Sequence, residues 1–253
     1  TQRLYYSGPM FRRERPQKGR QRQFFQIGVE AFGFPGPDID LEMIFITSAI
    51  FKALGLSDVV TLNINTIGAA DDRSKYINSL VEYLQKYESD LDEDSKRRLK
   101  KNPLRILDSK NPDIQRDLSN APSMIEQLSK NARDEFDQIC STLTKRGIKF
   151  VINPKLVRGL DYYSKIVFEW TTTELGSQDA ICAGGRYDGL VEQLGGRFCE
   201  GVGFAIGLER TVLLAEKLGI VPEKFFINSD VFVVCDESVW SHGILVLEEL
   251  RSK

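Results

Sequence analysis

The chain has 253 residues, 42% hydrophobic and 28% charged, with a formal net charge of −2, which suits one large globular domain or a core domain carrying an insertion. The near-neutral balance excludes a globally basic nucleic-acid binder, so any RNA contact has to come from local patches. No apolar run approaches the roughly 20 residues that span a bilayer and no signal-like start is present, so a cytoplasmic protein is expected.

Thr1 to Met10 reads as a lead-in with no element of its own. The stretch 11–30, FRRERPQKGRQRQFFQIGVE, reads as two strands joined by a polar hairpin. Side chains alternate across a strand, so Phe25, Ile27 and Val29 form an apolar row fit for a core. Phe24, Gln26, Gly28 and Glu30 share the other face, and Arg12 with Glu14 pair likewise on the first strand. Such a face is poor core material and suits the wall of a site that grips something charged and flat. Pro16 and Gly19 are the turn formers at the tip. Six basic residues and one acid lie between Arg12 and Arg22, and guanidinium forks match phosphate oxygens.

Residues 33–38 form a loop in which Asp38 or Asp40 can cap a helix over 41–54, stopped by Gly55. The β-branched content of 58–65 predicts a strand. From about 68 to 147 the chain is charge-rich, with apolar residues at helical spacing: Tyr76, Leu80, Leu84, then Phe136, Ile139, Cys140 and Leu143. Within it, 91–101 places acids first and bases last, as a helix dipole favours.

Strand-like sequence returns over 149–170, broken at Gly159. Tyr162, Ser164, Ile166 and Phe168 fall on one face, and Tyr163, Lys165, Val167 and Glu169 on the other. After a turn at 171–176, Gly184-Gly185-Arg186-Tyr187 offers paired glycines that allow close backbone approach to a ligand. A strand over 201–207 leads into a helix over 208–218, which puts Arg210 in the first turn. That end of a helix is already positive, so an anion nearby would relieve the conflict. A strand over 230–236 and a helix over 238–250 then open a further α/β unit.

Cys140, Cys182, Cys199 and Cys235 show no CxxC spacing, which argues for buried free thiols rather than a zinc or dithiol site. The single histidine, His242, cannot make a two-histidine metal site or support serine-hydrolase chemistry.

Four stretches in order, GPMFRRERPQKGRQRQFFQIGVEAFG, LVRGLDYY at 156–163, CAGGRYDGL at 182–190 and GVGFAIGLER at 201–210, resemble the histidyl-tRNA synthetase family. The first is similar to motif 2 of class II aminoacyl-tRNA synthetases and the last to motif 3. The middle two are similar to that family's histidine-specific signatures. Phe25 stands where the family often has histidine. The resemblance implies an α/β fold of the α+β type, an antiparallel sheet flanked by helices with a helical insertion. It divides the chain into a first part of the catalytic core at 1–67, the insertion at 68–148 and a second part of the core at 149–222. The start of an anticodon-binding domain follows at 223–253, and motif 1, expected upstream, is not in the sequence.

The resemblance also implies activation of histidine with ATP, Mg2+ accompanying the nucleotide, and transfer to the 3′ end of tRNA(His) by a protein that is a homodimer when intact. Arg12 and Arg158 would then be catalytic, holding the α-phosphate and the histidine carboxylate. Glu14, Arg20, Phe24 and Arg210 would join Arg12 in binding ATP, and no protein-held metal is expected. Gln26, Glu30, Tyr162, Tyr163 and Tyr187 would complete the histidine site, and the insertion would approach the tRNA acceptor arm. The alternative is a synthetase-like histidine-binding regulatory protein, of the type of the ATP phosphoribosyltransferase regulatory subunit. The three arginines at 12, 158 and 210 favour the enzyme, because a mere sensor needs no phosphate clamp.

Overall fold

The structure, a computed structural model, describes all residues except 14–20, 88, 90, 108, 110, 159–161, 177–178, 226–228 and 253, and omits the side chains of Ser119 and Lys224. It comprises two compact units, Thr1–Leu218 and Gly219–Lys253.

The first unit begins with β1 (Gln2–Phe11), β2 (Gln23–Phe32), α1 (Asp38–Ala53) and β3 (Thr61–Thr66). The helical stretch follows as α2 (Ala70–Gln85), α3 (Glu93–Lys101), α4 (Pro112–Asp117) and α5 (Lys130–Arg146). The chain then returns to the sheet with β4 (Phe150–Ile152), β5 (Ser164–Thr171), β6 (Ala180–Arg186), α6 (Leu190–Gln193), β7 (Gly201–Gly207) and α7 (Leu208–Lys217). The seven strands lie in the order β1-β2-β7-β6-β5-β3-β4. Neighbours are antiparallel except β3 and β4, which pair in parallel at one edge.

Three local expectations change. The lead-in is a full strand, β1, paired with β2 from Gln2↔Phe32 to Phe11↔Gln23. Its alternation is faint because it lies at the sheet edge, where only Tyr6, Gly8 and Met10 are half-buried between exposed neighbours. Arg12 therefore sits just beyond β1, where its N–H donates to the Arg22 carbonyl at 2.8 Å. Phe25 is 47% exposed rather than core, while Val29 packs against the core further along β2. Asp40 is not a cap. It lies inside α1, whose N-cap is Pro37 with no side-chain hydrogen bond, and it is buried against Arg186.

One face of the sheet is covered by α1, α5 and α7. Ile39, Ile44 and Phe51 meet Phe136, Ile139 and Leu214 over Ile64, Phe168, Phe204 and Ile206. Each such large side chain contributes about 1.5–3 kcal/mol by leaving water. Trp170 closes this core by donating Nε1–H to Thr47 Oγ1 at 2.8 Å. A second core gathers Tyr76, Leu80 and Leu84 of α2 with Leu99 of α3, Ile114 of α4 and Val167 of β5. Val167 and Phe168 thus point into different cores, as alternation on β5 requires. The charge pattern over 91–101 forms α3 as expected, with the Asp92 side chain accepting from the Ser95 N–H at 2.7 Å.

In the second unit, α8 (Trp240–Arg251) forms where a helix is predicted. Residues 230–236 form no strand, although their sequence has strand character. A strand exists only when a neighbour takes up its hydrogen bonds, and Phe232 and Val234 stand 84% and 83% exposed. The cysteines are free thiols, but only Cys182 is buried, and Cys235 is exposed.

Candidate active site

A cleft of about 1110 Å³ opens in the first unit. Its floor follows from alternation on β7. Val202, Phe204 and Ile206 are buried in the core, which turns Gly203, Ala205 and Gly207 toward the cleft. Small side chains there leave depth for a ligand. Gly203 is required in a stricter sense. A Cβ on it would lie 1.7 Å from Glu30 Oε2 and 2.6 Å from the Val29 carbonyl.

At one part of the cleft, Glu30 of β2 is surrounded by aromatic rings. The Tyr187 hydroxyl donates to Glu30 Oε2. Tyr162 and Tyr163 stack with centroids 4.7 Å apart, and Tyr187 stands edge-on to both at 5.9 and 6.2 Å. Gln26 Nε2 donates to the Tyr6 hydroxyl at 2.8 Å. Burial raises the Glu30 carboxyl above its usual 4.5, against the pull of the Tyr187 hydrogen bond. Burial likewise pushes the hydroxyls of Tyr6, Tyr162 and Tyr187 up, so all three are neutral donors near pH 7. One half-buried carboxylate among neutral hydroxyls and flat rings suits a planar ligand with N–H groups to donate.

The same cleft carries the cationic residues. Arg12 donates Nε–H to the Gln21 carbonyl at 2.7 Å, with its guanidinium 4.3 Å over the Phe24 ring. Arg158 pairs with Glu169 through Nη1 at 2.9 Å and lies 5.8 Å from the Tyr163 ring centre. Arg210 is in the first turn of α7, as predicted, and its Nη1 donates to the Ala180 carbonyl. Its neighbour Glu209 ties α7 to β2 by accepting from the Phe25 N–H at 2.7 Å.

Arg12, Phe24, Gln26, Glu30, Arg158, Tyr162, Tyr163, Tyr187 and Arg210 all line this one cleft. Glu14 and Arg20 lie outside the described residues. Tyr6 and Glu169 line it too, and neither was singled out from sequence. Tyr6 stands opposite Gly28 in register, where a Cβ would meet its ring at 2.1 Å, so seeing β1 as a strand would have found it. Glu169 shares a predicted strand face with Tyr163, and alternation alone could have nominated it.

The paired glycines support the site through packing. A Cβ on Gly184 would lie 2.5 Å from both the Gly203 carbonyl and the Phe168 ring, and one on Gly185 3.0 Å from the Tyr163 ring. Arg186 is fully buried behind the site. It binds Asp40 at 2.7 Å, Asp188 at 3.0 Å and the Phe34 carbonyl at 3.0 Å, fixing the start of α1 to the end of β6.

Comparison with known proteins bears on what this cleft does. A family model described as histidyl-tRNA synthetase matches residues 1–211. The histidine–tRNA ligase of Francisella tularensis subsp. holarctica is 52% identical over 254 residues, covering 100% of this chain and 60% of the relative. That of Francisella philomiragia is 51% identical over 253 residues, covering 100% of this chain and 59% of the relative. Among solved structures, apo histidyl-tRNA synthetase of S. aureus matches with a TM-score of 0.70 at 31% identity, over 99% of this chain and 60% of that one. An ATP phosphoribosyltransferase regulatory subunit/histidyl-tRNA synthetase from Bacillus halodurans matches with a TM-score of 0.53 at 25% identity, over 85% of this chain and 58% of that one. The chain spans about 60% of the length of the curated relatives it matches.

Proposed function

Since the chain belongs to the histidyl-tRNA synthetase family, we propose that its cleft activates histidine with ATP and that the adenylate formed is used to charge tRNA(His). The histidine carboxylate attacks the α-phosphorus of ATP, the bond to the β-phosphate oxygen breaks, and pyrophosphate leaves. The 3′-terminal ribose hydroxyl of the tRNA then attacks the adenylate carbonyl and AMP departs. The first step needs fixed positive charge around the phosphoryl group as its charge redistributes, and alignment of the attacking oxygen.

Arg12 and Arg158 supply that charge, holding the α-phosphate and the histidine carboxylate. Arg210 takes the γ-phosphate end, and Phe24 stacks on the adenine. Glu14 and Arg20 are assigned to the adenine amino group and the terminal phosphates. Glu30 accepts from one imidazole N–H and Tyr163 bonds the other ring nitrogen, with Gln26, Tyr162 and Tyr187 completing the pocket. The observation that carries this assignment is that the three arginines and the Glu30–tyrosine pocket line a single cleft. The same co-location favours the enzyme over the regulatory alternative.

Mg2+ is assigned to the nucleotide substrate. Among the described residues no group of three or more His, Cys, Asp or Glu side chains could hold a metal ion. Glu30, Glu169 and Glu209 are engaged separately by Tyr187, Arg158 and the Phe25 N–H. The helical stretch 68–148 is proposed to face the tRNA acceptor arm, with 1–67 and 149–222 as the catalytic core and 223–253 opening the anticodon-binding domain. A homodimeric, cytoplasmic protein is proposed on the family resemblance, and no described helix is long and apolar enough to cross a membrane. Charging of unfractionated tRNA with each labelled amino acid in turn tests the proposal. Incorporation of histidine alone is expected, and charging with another amino acid, or with none, would refute it.

A further inference from the structure

Arg158 is held in an unusual way for a residue assigned to a reacting phosphoryl group. Its Nη1 pairs with Glu169 Oε1 at 2.9 Å, and both side chains are about one-fifth exposed, at 22% and 21%. Its Nε is buried with no hydrogen-bond partner. A guanidinium N–H buried without a protein acceptor is costly, which leaves the 2.9 Å pair with Glu169 to hold the group. Glu169 is placed to do so, because it rises from the middle of β5, opposite Asn63 of β3 and Ala183 of β6. Strand backbone paired on both sides is rigid, whereas Arg158 itself belongs to the connection between β4 and β5.

We propose that Glu169 is a positioning residue, which fixes the Arg158 guanidinium from a rigid strand so that its remaining donors meet the phosphoryl group. The role rests on the proposed activation reaction, in which Arg158 touches the α-phosphate and Glu169 acts only through it. With Nη1 held by Glu169 and Nε buried, Nη2 is the end of the planar fork left for an anion. It also explains a carboxylate in a cleft that has to attract a polyphosphate. The repulsion is offset by pairing that carboxylate with the arginine it orients.

The kinetic test measures histidine-driven exchange of pyrophosphate into ATP. Glu169→Ala should lower kcat about 10- to 100-fold, the scale of a catalytic group misplaced by about 1 Å, with KM for histidine and for ATP moving less than about threefold. Glu169→Gln keeps an acceptor for Nη1 and should recover most of the loss. In an Arg158→Ala background, Glu169→Ala should cause no further loss, because both changes remove one unit. Additive losses, or no rescue by glutamine, would overturn the proposal. Crystal structures of the wild-type protein and of Glu169→Ala give a readout independent of catalysis. The guanidinium should sit on Glu169 in the first and be displaced in the second, and an unmoved guanidinium in the variant would overturn the proposal. Wild-type protein without histidine-driven exchange would refute the proposed reaction, while the two structures would still decide whether Glu169 positions Arg158.

Discussion

Replacing Gly203 by alanine places one methyl group at the point where the floor of the proposed histidine pocket meets the sheet. The new Cβ would lie 1.7 Å from Glu30 Oε2 and 2.6 Å from the Val29 carbonyl. The carboxylate can swing away, but the Val29 carbonyl belongs to β2, paired with β7 through Val29↔Phe204 and Glu30↔Gly203. The backbone therefore has to give as well. Overpacking of this kind costs about 1–3 kcal/mol, which for a domain of this size lowers Tm by about 2–12 °C. Displacing the carboxylate also removes its bond from Tyr187 and the grip on an imidazole N–H proposed for it. One charge-assisted hydrogen bond of about 1.5–3 kcal/mol corresponds to a rise of about 10- to 100-fold in KM for histidine. KM for ATP should stay within about twofold, since Glu30 is assigned to the imidazole alone. The assay is pyrophosphate exchange at varied histidine and at varied ATP, with thermal unfolding alongside. Gly8→Ala is the control, because its Cβ would meet nothing within 4 Å. A folded Gly203→Ala variant with an unchanged KM for histidine would refute the pocket.

Glu30→Gln should lower kcat/KM for histidine by about 10⁴, because a site built on buried polar partners rejects a mismatch strongly, while ATP binding persists in equilibrium titration. The same variant reports on pH. The native carboxyl has a raised pKa, so the folded state holds the proton more tightly than the unfolded one, and Glu30's contribution is fully present below 4.5 and lost as pH rises through the raised value. Urea unfolding should therefore show the stability difference moving in favour of Glu30→Gln as pH rises from about 4 to 7, and a difference independent of pH would refute the shift. Asp40→Ala leaves the buried Arg186 guanidinium without its main counter-charge and should cost about 3–5 kcal/mol in urea unfolding. Trp170→Phe removes the 2.8 Å bond from Nε1 to Thr47 Oγ1 in the core and should cost about 1–2 kcal/mol by the same measurement.

What the sequence made legible was local and periodic. Alternation on β2 separates Phe24, Gln26 and Glu30 from Ile27 and Val29, and the structure turns the first set into the cleft. The placement of Arg210 in a helical first turn is likewise a matter of spacing. What it hid depends on partners far along the chain. Asp40 looks like a helix cap until Arg186, 146 residues later, is seen to claim it. β1 leaves only a faint trace in the sequence because an edge strand buries too little to impose a clear pattern. Residues 230–236 show the reverse case, a strand-like sequence that forms no strand, since strand-forming side chains do not supply the neighbour that a strand requires. Glu169 was on the right face of its strand, but its role emerges only when Arg158 arrives beside it from a separate segment.

One cleft is proposed to join a phosphate clamp to a pocket for histidine. Exchange of labelled pyrophosphate into ATP, driven by each amino acid in turn, tests it most directly. Exchange is expected with histidine alone, abolished in Arg12→Ala and in Glu30→Gln. Exchange driven equally well by other amino acids, or histidine binding that drives no exchange, would contradict it.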